Sequence, residues 1–139
     1  MTEIEARQVS ASSLAYLGDA YMELLVRRYL IGEGAKKGEH PSQGALKFVT
    51  ASAQSAALEV ILTSLTEAEA DVYRRGRNCV HANVPRHATL AEYRRATGLE
   101  CLFGYLSLTE QTARAETLFR QAYHLDGEKI CNEDKEVET

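Results

Sequence analysis

Residues 13–30 read SLAYLGDAYMELLVRRYL. Apolar residues recur here at three- and four-residue spacing, the mark of a long amphipathic helix. Yet Gly18 and Asp19 occupy its middle turn. An interior glycine costs about 1 kcal/mol relative to alanine, and aspartate is also a poor interior residue. Ala15, Asp19, Met22 and Val26 follow i, i+4, i+7 and i+11, so the acid interrupts an apolar stripe. The stretch LAEYRRATGLECLFGYLSL, residues 90–108, repeats the anomaly: Tyr93, Ala96, Glu100, Phe103 and Ser107 share one stripe. Two helices thus each place one carboxylate where a core residue belongs.

An unpaired buried charge is costly, so such acids find a cation, a metal or a proton. One reading pairs Asp19 and Glu100 with arginines such as Arg27, Arg28, Arg94 or Arg95. The other brings the two acids together around a hard divalent cation. Mg²⁺ suits that arrangement, because it takes one or two carboxylates, several waters and phosphate oxygens. Local rules broken inside regular elements often mark functional sites.

Helical spacing runs through the rest of the chain, and no run of alternating strand residues competes with it. The first long helix is expected over residues 13–31, ending at Gly32 or Gly34, with a polar loop over 32–44. Residues 45–65 read as helical, with a break near Thr50 and an apolar stripe of Ala53, Ala56, Ala57, Val60 and Ile61. Thr66 with Glu69, and Thr89 with Glu92, have capping-box spacing and open helices. Between these helices lies RGRNCVHANVPRHA, residues 75–88, the longest irregular stretch. Thr109 is expected to open the last helix, with Ala115, Leu118, Phe119 and Ala122 on its apolar face. The fold class is all-α.

The 139 residues fit one domain able to bury a core without disulfides or metals. We expect a domain over 1–125 and an acidic, disordered tail over 126–139. The polar start MTEIEARQVS is not a secretory signal, and no apolar run is long enough for a membrane span. Cys79, Cys101 and Cys131 are odd in number and lack CxxC spacing, as reduced thiols do. A cytoplasmic protein is expected. The net charge of −4 resides in the tail, where six acids meet two lysines. Over residues 74–95, six arginines face Glu92 alone, a local excess fit for a polyanion or simply a solvated face.

Here the motifs carry a resemblance. YLGDAYMELLV resembles the ribonuclease III signature, and TGLECLFGYLSL resembles that family's second acidic helix. VTASAQSAALEVIL and RRGRN fall in the matching order between them. LAYLGDA, RGRN and YRRATGLECLFGYL together resemble the Mini-III subgroup. The resemblance implies an all-helical endonuclease domain, a homodimeric helical bundle, and Mg²⁺-dependent cleavage of double-stranded RNA, with Mn²⁺ as a substitute. It makes Asp19 and Glu100 metal ligands and catalytic residues. The metal would activate water and stabilise charge on the phosphate and the departing 3′ oxygen.

Two positions depart from the broad family. Ala15 stands where ribonuclease III usually has glutamate, and Thr97 where it usually has aspartate. The Mini-III subgroup resembles this sequence in both changes. Glu23 and Thr97 are then candidates for a supporting role around the ligands. The chain ends before any separate double-stranded-RNA-binding domain, so the catalytic domain is expected to grip RNA itself or to use a partner. Duplex RNA is read through phosphates and 2′-hydroxyls across the minor groove. Arg77, Asn78, His81, Asn83, Arg86 and His87 are the candidate contacts. Cys79, His81 and His87 match no tetrahedral zinc spacing. The subgroup further implies trimming of large-subunit (23S) ribosomal RNA precursor, aided by a large-subunit ribosomal protein. Two alternatives stay open: a non-cleaving RNA-binding or ribosome-associated dimer, and a helical interaction module whose acids are only salt-bridged.

Overall fold

The computed structural model describes residues 1–79 and 87–126. Its seven α-helices are α1 (Glu3–Arg7), α2 (Ala11–Tyr29), α3 (Leu46–Val49), α4 (Ala51–Ile61), α5 (Glu67–Arg77), α6 (Leu90–Leu108) and α7 (Thr112–Ala122). Among the described residues there is no strand, as an all-α class requires. No single helix there is long and apolar enough to cross a membrane.

The centre of the fold is α6. Its run from Ala96 to Leu99 and from Cys101 to Leu106 is buried, so it has almost no solvent face. A helix apolar on all sides must be surrounded, and α2, α4, α5 and α7 do so. Two contacts bring its neighbours unusually close. Gly18 of α2 lies against the Glu100 carbonyl, while Gly104 lies against that of Leu14. Gly76 of α5 lies against Cys101 and the Cα of Gly98. A β-carbon at any of these places would collide with the facing helix.

Both capping boxes form as expected, with each threonine hydroxyl accepting from the backbone of Glu69 or Glu92 and each glutamate reaching back. Glu69 does more than cap. Its side chain is only 4% exposed and takes two hydrogen bonds, each 2.9 Å long, from the Arg114 guanidinium of α7.

Several boundaries differ from the sequence reading. The first long helix begins earlier, behind the Ser10 cap, and α1 precedes it. After Tyr29 the chain widens into a π-turn over Leu30–Gly34, and Pro41–Gly44 forms a 3-10 turn inside the expected loop. The break at Thr50 is real: that residue caps α4. The expected alanine stripe is displaced. Ala57 and Ile61 are buried with Gln54, Ser55 and Leu58, whereas Ala56 faces solvent. Thr109 closes α6 instead of opening the last helix, because its hydroxyl donates to the Tyr105 carbonyl at 2.8 Å. Glu110 then takes a left-handed turn (φ 57°), with Glu110 N–H on Ser107 O and Gln111 N–H on Leu106 O. That pattern terminates a helix regardless of the capping threonine.

Candidate active site

Asp19 and Glu100 come from α2 and α6 at the close crossing made by Gly18. Their environments differ. Glu100 is half-buried, whereas Asp19 is exposed, which corrects the expectation that both displace core residues. The stripe neighbours Ala15, Met22 and Val26 are buried, so Asp19 is the one exposed member of that stripe and lies at the rim of the core.

Burial, and secondarily the Asp19 charge, push the Glu100 carboxyl up to about 7. The Asp19 charge contributes to that shift, so the two carboxylates lie close enough to repel one another. Among the described residues no hydrogen bond or ion pair engages either side chain with an arginine. Arg27 pairs instead with Glu23 at 3.1 Å, and Arg95 with Glu59 at 3.0 Å. The salt-bridged reading of the two acids therefore finds no partner there.

Two neighbouring carboxylates with no arginine on either are a donor set that fits a hard divalent ion. Among the described residues no third histidine, cysteine or acid completes a protein-only cage. Waters and phosphate oxygens would fill the remaining positions, as Mg²⁺ accepts. The positions that lack acids are packed: Ala15 and Thr97 are buried, and the Thr97 hydroxyl donates to the Tyr93 carbonyl at 3.0 Å. Glu23, exposed and paired with Arg27, has an ion-pair role in this structure.

Of the candidate RNA contacts, Asn78 and His87 are exposed. Arg77 is half-buried, with its guanidinium 5.6 Å from the Tyr73 ring centroid and bonded to Asn78 Oδ1. His81, Asn83 and Arg86 lie outside the described residues. The arginine cluster also divides by role. Arg95 ties α6 to α4, and Arg75 donates to the carbonyls of Arg7 and Val9. Arg7, which sequence spacing did not single out, joins this group from 64 positions away through Asp71.

Residues 12–111 match the family model described as the Ribonuclease III domain. The chain belongs to the ribonuclease III family. It is 43% identical over 110 residues to the Mini-ribonuclease 3 of Symbiobacterium thermophilum, covering 79% of this chain and 85% of that protein. Against the Mini-ribonuclease 3 of Enterococcus faecalis it is 38% identical over 124 residues, or 88% and 94% of the two chains. A crystal structure of a protein from Fusobacterium nucleatum superposes with a TM-score of 0.76 at 27% identity, covering 92% of this chain and 99% of that one. Ribonuclease III membership and these relatives make the chain an endoribonuclease. The family acts on double-stranded RNA and depends generally on divalent metal.

Proposed function

We propose that this ribonuclease III family member hydrolyses double-stranded RNA with Mg²⁺, or Mn²⁺ in its place, held by Asp19 and Glu100. The observation that carries the reading is the carboxylate pair at the α2–α6 crossing, with no arginine partner among the described residues and with Glu100 pushed up to about 7 by burial and by the Asp19 charge. When bound, the ion supplies Lewis-acid activation of water and charge stabilisation at the phosphate.

The protein's share of the work is positional. The Gly18 contact brings the α2 backbone against the Glu100 carbonyl, so neither carboxylate moves independently of the helix crossing. Glu100 is partly shielded from water, while Asp19 is exposed and open to an approaching phosphate. The turn carrying Thr97 is fixed by its bond to Tyr93, so Glu100 projects from an ordered helix. Arg77, Asn78, His81, Asn83, Arg86 and His87 contact the duplex. Glu23 and Thr97 support the ligands from outside.

The protein acts as a homodimer. In support, Tyr16, Leu24 and Ile31 of the α2 side are 86%, 50% and 75% exposed and lie on one face, with Ala20 between them. Large apolar side chains aligned in this way call for a covering surface. The substrate is the precursor of large-subunit (23S) ribosomal RNA, presented with a large-subunit ribosomal protein in the cytoplasm. Likeness to proteins named Mini-ribonuclease 3 supports this substrate. We assign residues 1–125 to the catalytic domain and the remainder to an acidic tail.

Incubation of the protein with a long RNA duplex, with and without Mg²⁺, tests the reading beside Asp19→Asn and Glu100→Gln. Cleavage that needs the metal and disappears in both folded variants is the expected result. Duplex binding without cleavage in any of several divalent metals would favour the second reading, a non-cleaving RNA-binding dimer. Ala15 and Thr97, at positions where the broad family carries acids, are what favour that alternative.

A further inference from the structure

Beneath the start of the α5–α6 connection lies a wide cavity of about 920 Å³, of whose lining the contacts proposed above include only Asn78. Arg7, Arg74, Arg75 and Asp71 line it, with Asn78 at its edge. We propose that this cavity is a second phosphate-binding surface for the RNA duplex, with Arg7 and Arg74 as the contacting residues. The inference rests on the nuclease reading above and adds to it residues from α1 and α5.

Three features of the geometry carry it. First, Asp71 is shared: its two oxygens accept from Arg7 at 2.9 Å and from Arg74 at 2.6 Å. One carboxylate thereby orients two guanidiniums and neutralises only one. Second, Arg75 is held by main-chain oxygens, donating to Arg7 O at 2.6 Å and Val9 O at 3.0 Å. Those carbonyls orient the guanidinium without cancelling its charge. Three arginines against one aspartate leave an excess of two positive charges in one open cavity. Arginine forks fixed in advance suit phosphate oxygens, because little further ordering is needed on binding. Third, the cavity is placed for the same duplex. Ala11 lines it, and Asp19 follows two turns later on the same helix, roughly 12 Å along the axis. Asn78, a proposed contact of the neighbouring loop, borders it directly.

The partner's chemistry follows from the lining. A free mononucleotide would leave most of so open a cavity unfilled, whereas a backbone with successive phosphates can meet both arginines at once. An apolar peptide would find few apolar side chains beyond the exposed Ile4.

The test measures binding of a labelled RNA duplex across a salt series, in the Glu100→Gln background so that the duplex stays whole. Arg7→Gln with Arg74→Gln is expected to weaken binding about tenfold or more at low salt. The slope of log affinity against log salt should fall by about 2, one for each lost phosphate contact. Single variants should each lower it by about 1. In the active background, kcat at saturating duplex should be unchanged while KM rises, which a folding defect would not produce. An unchanged affinity and slope in the folded double variant would overturn this surface while leaving the nuclease reading intact. If the Glu100→Gln protein with all its arginines binds no duplex, the nuclease reading itself fails, and this one with it.

Discussion

Gly18 of α2 rests on the backbone carbonyl of Glu100, and Gly104 of α6 rests in return on that of Leu14. The pair lets two helix backbones approach without side chains between them. It explains a glycine at the middle of a long helix, despite its propensity cost. It also links packing to chemistry, since Asp19 follows Gly18 and Glu100 supplies the facing carbonyl.

Gly18→Ala should therefore damage both stability and activity. A β-carbon there collides with backbone, which cannot rotate aside as a side chain can. We expect a loss of at least about 1–3 kcal/mol, the usual range for overpacking, and the same from Gly104→Ala. Gly32→Ala is the control, since a β-carbon there meets nothing within 4 Å. Urea unfolding of the three variants, with cleavage assays on those that fold, checks the contrast. Equal behaviour of Gly18→Ala and Gly32→Ala would refute the crossing argument.

The metal-free protein should lose stability as pH rises from about 4.5 to about 7. In that window an unfolded Glu100 carboxyl, at its ordinary 4.5, is ionised, while the folded one, at about 7, keeps its proton. The folded state then binds more protons, so the unfolding free energy falls with pH, by at most about 3 kcal/mol. Glu100→Gln should remove this fall. Thermal melts at pH 5 and pH 8, in chelator, measure it.

Divalent metal should act in the opposite direction at neutral pH. A cation between Asp19 and Glu100 relieves their repulsion and binds only the folded chain, so Tm should rise with its concentration. Asp19→Asn should blunt that rise without lowering the metal-free Tm. This measurement requires no RNA and so tests the ligand pair apart from activity. A metal-induced shift of the same size in the parent and in Asp19→Asn would remove Asp19 from the site.

Arg114→Ala should be among the most destabilising polar substitutions in the chain. Burial raises the Glu69 carboxyl, but the Arg114 guanidinium and the Thr66 cap outweigh it and hold the group below its usual range. Losing the arginine strands a buried charge, at a cost of about 3–5 kcal/mol. Because the folded value is depressed, this stabilisation is present above the usual carboxylate range and lost as pH falls through the folded value. Chemical denaturation of the variant at pH 7 and pH 3 should show a large deficit at the first and a smaller one at the second.

The sequence by itself determined the helical class, both capping boxes, the break at Thr50 and the family motifs. These are local signals: a hydroxyl and a carboxylate three residues apart close a cap whatever surrounds them. It also singled out Asp19 and Glu100, because each breaks the pattern of its own helix. Tertiary structure alone decided which acid is buried, since exposure depends on how α2 rolls against α6 at Gly18. It decided, too, that Glu69 serves as a buried ion-pair partner as well as a cap. Packing likewise divided the arginines between α4, the Tyr73 ring and the Arg7–Asp71–Arg74 cluster. Those partners lie up to 64 positions apart in the chain, and no periodicity within one helix reports which distant charge the fold brings beside it.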